Sequence, residues 1–226
     1  MPSKIYQEYP KTVARDDFWR QVKRTVNGVP VSQAQIDMIV SAISDGLSLS
    51  PQDVLLDLGC GNGALSQYFF EHLTGFEGID ASEYLVGVAN EFFNESPIHT
   101  FTHLDILTYL KGTSFPQHFT KCLCYGTFHF LEDEAAVHML ELLHSRFLNI
   151  DTVFIGSSPD RDRAHLFNKD FDPDILDRND TAIGVWRSKD TLIDFANQTG
   201  WNAEIRYMPE DFHAAHYRFD TVLHRR

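Results

Sequence analysis

The chain has 226 residues, 43% of them hydrophobic, enough for one sizeable core and most simply one domain. Its formal net charge is −13, so a nucleic-acid acceptor would require a local basic patch, and only Arg20, Lys23 and Arg24 near the start and Arg225–Arg226 at the end offer one. No apolar run approaches the ~18–20 residues of a membrane span, Met1–Tyr6 lacks the apolar stretch of a secretory signal, and three cysteines make no disulfide framework, so a cytoplasmic protein without membrane contact is expected.

In chain order, a helix is expected over about 16–26, broken by Asn27-Gly28-Val29-Pro30. Ser32 with Gln35 reads as a capping box ahead of a helix carrying Ile36, Ile39, Val40, Ile43 and Leu47. From residue 53 strands and helices alternate. The strands are Val54–Leu58, Phe76–Ile79, Ile98–Leu104, Phe119–Cys124 and Thr152–Ile155. The helices follow at Ala64–Leu73, after Ser82, and from Asp133 to Phe147. This alternation predicts a doubly wound α/β fold with a mostly parallel sheet covered on both faces. Cys122 and Cys124 are assigned to opposite faces of a strand and to core packing rather than to a metal pair, and no metal site is expected.

The rhythm fails between Ser157 and Trp186, where Asp160, Arg161, Asp162, Arg163, Lys169, Asp170, Asp172, Asp174, Asp177, Arg178 and Asp180 crowd together. The run reads as a solvated loop, with a lid or substrate-contact segment as the rival. Ser188 then caps a helix, and Ala203–Tyr207 and Tyr217–Leu223 form two last strands. About nine residues separate them, too few for a crossover helix, so they should pair antiparallel. One domain results: a helical cap over 1–50, a cofactor-binding half over 51–156, a variable loop or lid over 157–187, and a C-terminal helix with antiparallel strands over 188–226. No residue pattern specifies an oligomeric state.

The chemistry concentrates at strand ends. Asp57-Leu58-Gly59-Cys60-Gly61-Asn62-Gly63 joins the first strand to a helical pattern, and its glycines let a ligand approach the main chain. Asp80 ends the second strand, where a carboxylate can accept from both hydroxyls of a ribose. Asp105 follows the third strand and could accept from an exocyclic amine such as that of adenine. Open α/β sheets bind ligands at these carboxyl ends.

These motifs resemble those of the class I S-adenosylmethionine-dependent methyltransferases. The likeness rests on the loop Asp57–Gly63, on Asp80, on Leu104-Asp105-Ile106, and on Tyr125-Gly126-Thr127-Phe128-His129-Phe130-Leu131, and it covers about residues 50–224. It implies a seven-stranded sheet with a reversed last strand and S-adenosyl-L-methionine as cofactor. It also implies that Asp57, Gly59, Cys60, Gly61, Asn62 and Gly63 cradle the methionine part and that Asp80 and Ala81 hold the ribose. Asp105 and Ile106 would bind adenine, and Tyr125 would face the sulfonium. Ser82 is either a cofactor contact or only a helix cap. His129, just past the fourth strand, is the candidate base, with a cap or packing histidine as the alternative. His213 and His216 are weaker catalytic candidates, and Tyr9 and Trp19 are candidates for an N-terminal lid or for core packing.

A small-molecule acceptor methylated on oxygen or nitrogen is expected, with protein or peptide methylation second. Gly59-x-Gly61-x-x-Ala64 also fits a nicotinamide-dependent oxidoreductase, but Asp57, the extra Gly63 and the antiparallel last strands count against it. A cofactor-binding protein without catalysis is the remaining alternative.

Overall fold

The computed structural model describes residues 4–168 and 172–226; Lys169 and Asp170 of the charged run lie outside them, as do Met1–Ser3. Seven strands, β1 (Val54–Leu58), β2 (Gly75–Asp80), β3 (His99–His103), β4 (Lys121–Tyr125), β5 (Thr152–Pro159), β6 (Trp201–Arg206) and β7 (Arg218–Arg225), form one sheet. Their order is β3-β2-β1-β4-β5-β7-β6. β1 to β5 are parallel, and β7 runs antiparallel to both β5 and β6. The last strand is therefore reversed and inserted one place from the edge, as the short connection before it requires.

Alternation along each strand sends successive side chains to opposite cores. Leu55, Leu123, Phe154 and Val222 pack under α1 (Gln33–Leu47), which contributes Ile36, Ile39, Ile43 and Leu47, together with Val86 and Ala89 of α2 (Glu83–Phe92). Leu56, Leu58, Val153 and Ile155 pack on the other side with α3 (Ile106–Gly112), α4 (Asp133–Arg146) and α5 (Lys189–Gln198). Cys122 and Cys124 are both buried in this second core. Their spacing of two puts them on one face, so the opposite-face assignment fails while the packing assignment holds. No helix of the described residues is long and apolar enough to cross a membrane.

Several local expectations are corrected. The helix expected over 16–26 is one turn, Phe18–Gln21, followed by a small hairpin pairing Thr25–Val26 with Val29–Pro30. Lys23 and Asn27 adopt φ values of 53° and 50°, which a helix cannot continue through. Ser66–His72 is a 3-10 rather than an α-helix. Three consecutive aromatics, Tyr68-Phe69-Phe70, are poor helix formers, and the three-residue repeat brings Ser66 and Phe69 to the same buried line.

The capping box at Ser32 does not form. Gln35 instead accepts the His213 N–H at 2.7 Å and donates to the Asp211 carbonyl at 3.0 Å, tying α1 to the last inter-strand loop. Helix α3 was not expected from the pattern, although Asp105 followed by Ile106, Tyr109 and Leu110 carries its signal; Asp105 caps it through the Thr108 N–H at 3.0 Å.

The described charged residues of this run are mostly exposed, and their ion pairs lie at the surface. Arg161 pairs with Asp177 at 2.5 Å and Arg178 with Asp180 at 2.9 Å, while buried Arg187 reaches Asp133 at 2.8 Å. It includes two 3-10 turns, Arg161–Leu166 and Pro173–Ile175.

Gly46 lies in α1 where a Cβ would stand 2.5 Å from Phe154 Cδ2. Gly46→Ala should therefore lower stability by about 1–3 kcal/mol through overpacking, although an exposed helical site would gain about 1 kcal/mol from the same change. Urea unfolding measures the difference, and a gain in stability would contradict the close α1–β5 contact.

Candidate active site

A cavity of about 370 Å³ opens at the carboxyl ends of the parallel strands. Its floor is built by the residues that follow β1 and β2. Gly59 has φ +87°, and a Cβ there would overlap the Thr127 side chain. The N–H groups of Gly59 and Cys60 both donate to the Ile79 carbonyl, at 2.7 and 3.1 Å, which folds the loop back onto β2. Asp80 then accepts the Gly61 N–H on Oδ2 at 2.9 Å and the Ser82 N–H on Oδ1 at 2.8 Å. Burial raises the Asp80 carboxyl above its ordinary range, while these two bonds oppose the shift. Its remaining lone pairs can serve hydroxyl donors in the cavity.

Asp57 is buried and accepts from Ser66 Oγ at 2.7 Å. Burial pushes its carboxyl up to about 7; the Ser66 bond opposes, Asp80 adds to the rise and Arg24 reduces it. No cationic side chain lies in ion-pair range of it among the described residues, so a ligand ammonium would find a buried partner there. The Arg24 guanidinium lies over the rings of Trp19 and Tyr125, at 5.4 and 5.1 Å from their centroids, and also lines the cavity.

The other expected cofactor residues divide into two groups. Gly59, Cys60, Gly61, Asn62, Ala81, Asp105, Ile106 and Tyr125 line the cavity with Asp57 and Asp80. Gly63 and Ser82 do not. A Cβ on Gly63 would meet Phe101 at 2.8 Å, so its role is close packing. Ser82 accepts the Leu85 N–H as the cap of α2 and donates to the Tyr6 carbonyl at 3.1 Å, which favours the cap reading. The Asn62 amide donates to the Phe18 carbonyl and to Gln21 Oε1, at 2.8 and 2.9 Å, and anchors the glycine loop to the N-terminal segment. The Cys60 thiol is pushed well up by burial and by Asp80 and Asp57, so it is unreactive as a nucleophile.

His129 sits in the cavity wall on the turn Phe128–Phe130, only 4% exposed, and its Nδ1 has no hydrogen-bond partner. Burial, then Arg218 and Arg187, hold it well below the usual imidazole range. It is therefore neutral near pH 7 and able to accept a hydrogen bond or proton. His213 also lines the cavity, held by Gln35 Oε1 at 3.0 Å and pushed down to about 4 by burial and the charges of Arg218 and Arg24. His216 packs on Tyr217 outside the lining, and neither Tyr9 nor Trp19 reaches the cavity.

The roof comes from residues that sequence reasoning passed over. Tyr6 and Val22–Thr25 contribute from the N-terminal segment, Asn179 and Ala182 from the charged run, and Phe212, Tyr217 and Arg218 from the last loop and the start of β7. One signal was available. A reversed strand begins where parallel strands end, so Tyr217 and Arg218 had to lie beside the site.

Residues 55–147 match the protein family described as "Methyltransferase domain". Among solved structures the chain is similar to magnesium protoporphyrin IX methyltransferase from Synechocystis PCC 6803 with bound SAH. The identity is 18% and the TM-score 0.66, over 99% of this chain and 97% of that one. It is similar to small RNA methyltransferase HEN1 at 16% identity and TM-score 0.65, over 87% of this chain but 25% of that one. A third likeness is to a chain of the complex between the Haloferax volcanii Trm112 methyltransferase activator and its methyltransferase, at 15% identity and TM-score 0.61, over 94% and 97%. Comparison with curated sequences gave no match. Residues 55–147 thus match a methyltransferase domain, and the fold is that of the class I S-adenosylmethionine-dependent methyltransferases. The buried Asp57 carboxylate without a cationic partner and the doubly anchored Asp80 both suit the cofactor of that class.

If Asp57 receives the cofactor's ammonium, its ionised form binds better. The affinity for S-adenosylhomocysteine should then rise roughly ten-fold from about pH 5.5 to about 7.5, as Asp57 loses its proton, and Asp57→Asn should flatten the profile. Calorimetry across that range checks this; a flat wild-type profile would remove Asp57 from the ammonium site.

Proposed function

We propose that this enzyme transfers a methyl group from S-adenosylmethionine to an oxygen or nitrogen atom of a small-molecule acceptor. The observation that carries the reading is the roofed cavity itself. Three separate segments close over the strand ends, which leaves room for a compact acceptor and suits a reaction that excludes water. The N-terminal segment around Tyr6 and Val22–Thr25 acts as the cap, and the charged run as a lid that contributes Asn179 and Ala182.

Within this reading the glycine loop cradles the methionine part, Asp57 and Arg24 take its ammonium and carboxylate, Asp80 and Ala81 face the ribose, and Asp105 and Ile106 face the adenine. Tyr125 lies beside the transferring centre. The bound cofactor supplies an already activated methyl group. The chain's part is to align the acceptor and take up its proton, and His129, neutral and part of the cavity wall, is the group for that step.

The basic residues near the two ends are engaged within the fold, which favours a small acceptor over a nucleic acid. Arg24 faces the cavity, Arg20 pairs with Asp17 at 2.8 Å, and Arg225 donates to carbonyls at the end of α4. Three free thiols suit a reducing cytoplasm.

Incubation with methyl-labelled cofactor and fractionated cell extract tests the reading. Label should enter the low-molecular-weight fraction, and His129→Ala should slow that labelling by ~10²–10⁴-fold with cofactor affinity kept. Label in RNA or protein alone would overturn the small-molecule assignment, and an undiminished rate in the variant would remove His129 from the reaction.

A further inference from the structure

Arg218 opens β7 and lines the cavity, yet no carboxylate lies in ion-pair range of it among the described residues. One of its N–H groups goes to the Ser157 carbonyl, and its guanidinium lies 5.2 Å from the centroid of the Tyr217 ring. The nearby acid, Asp220, is engaged elsewhere, being buried and accepting the Ser157 N–H at 2.6 Å.

Ser157 itself sits at the β5 bulge, where the register shifts between Ile155 and Ser158, with φ at 61°. Such a conformation for a residue other than glycine persists only where its surroundings enforce it, and bulges re-aim side chains beside functional sites. Here Asp220 holds the Ser157 N–H and Arg218 its carbonyl. The bulge thus ties the half-buried guanidinium to the cavity wall through the Ser157 carbonyl.

The two arginines of the cavity have different neighbours. The charges of both act on Tyr6, Tyr125 and His213, but that of Arg24 also acts on Asp57, whereas that of Arg218 also acts on His129 and Asp220. Arg24 belongs with the cofactor's amino-acid end, and Arg218 with the residues around the candidate base. With Asp220 outside ion-pair range and engaged by Ser157, the guanidinium fork of Arg218 keeps donors free that match an oxyanion.

We propose that Arg218 binds an oxyanion of the acceptor, a carboxylate or phosphate, so that the substrates of this enzyme are acidic small molecules methylated at a hydroxyl or amine beside His129. This rests on the methyl-transfer reading of the cavity.

The test uses the full chain with methyl-labelled S-adenosylmethionine and a low-molecular-weight extract split on an anion exchanger. Wild type should label the retained, acidic fraction. Prior phosphatase treatment abolishes the signal if the oxyanion is a phosphate ester and leaves it if it is a carboxylate. On the purified labelled acceptor, Arg218→Met should raise KM by about 30-fold or more while S-adenosylhomocysteine affinity stays within about two-fold; Arg218→Lys, which keeps the charge, should recover part of the loss. If Arg218→Met does not fold, Arg218→Lys decides alone, with a raised KM and intact cofactor affinity expected. Label confined to unretained compounds, an unchanged KM, or lost S-adenosylhomocysteine affinity in a folded variant would overturn the assignment. Absence of label in every fraction while S-adenosylhomocysteine binds would instead contradict the methyl-transfer reading.

Discussion

Asp80 receives two backbone N–H groups, one from Gly61 on the glycine loop and one from Ser82 at the start of α2. Through these bonds a single carboxylate fixes the loop after β1 against the helix after β2. The Gly59 and Cys60 N–H groups on Ile79 complete the clamp. Without it the loop would have no reason to keep its positive φ angles, and the first two strand ends would not share one binding surface. In the proposed function the same carboxylate also meets the ribose, so that framework and ligand site would use one residue.

The chain separates its charges. The surface carries most of an acidic total of −13, while Arg24 and Arg218 are directed into the cavity. They reach it by different routes. Arg24 comes from the N-terminal segment, anchored through Asn62 to Phe18 and Gln21; Arg218 comes from the strand that reverses the sheet. Burial keeps His129 and His213 uncharged, helped by Arg218 and Arg187 at His129 and by Arg218 and Arg24 at His213. The chamber therefore combines buried carboxylates, which suit a cationic ligand, with fixed guanidinium groups and neutral imidazoles.

Much of the fold was legible because it depends on short-range pattern. The strands Val54–Leu58 and those after it alternate with capped helices, and a nine-residue connection forces the last pair to be antiparallel. The glycine loop and its acids could be read because their spacing is itself the geometry. What could not be read depends on partners distant in sequence. Gln35 looked like half of a capping box, but it serves His213 and Asp211. Ser82, read as either a cofactor contact or a helix cap, is the cap of α2, and Gly63, read as part of the cradle, packs against Phe101. Arg218 escaped notice because its place in the cavity wall, without an ion-pair partner among the described residues, exists only once β7 lies beside β5.

A crystal structure with S-adenosylhomocysteine bound tests the central claim most directly. The account predicts both ribose hydroxyls on Asp80, the adenine against Ile106 near Asp105, and the amino-acid end between Asp57 and Arg24, with the thioether turned toward Tyr125 and His129. A ligand whose ribose lies away from Asp80, or whose amino-acid end lies against Arg218, would contradict it.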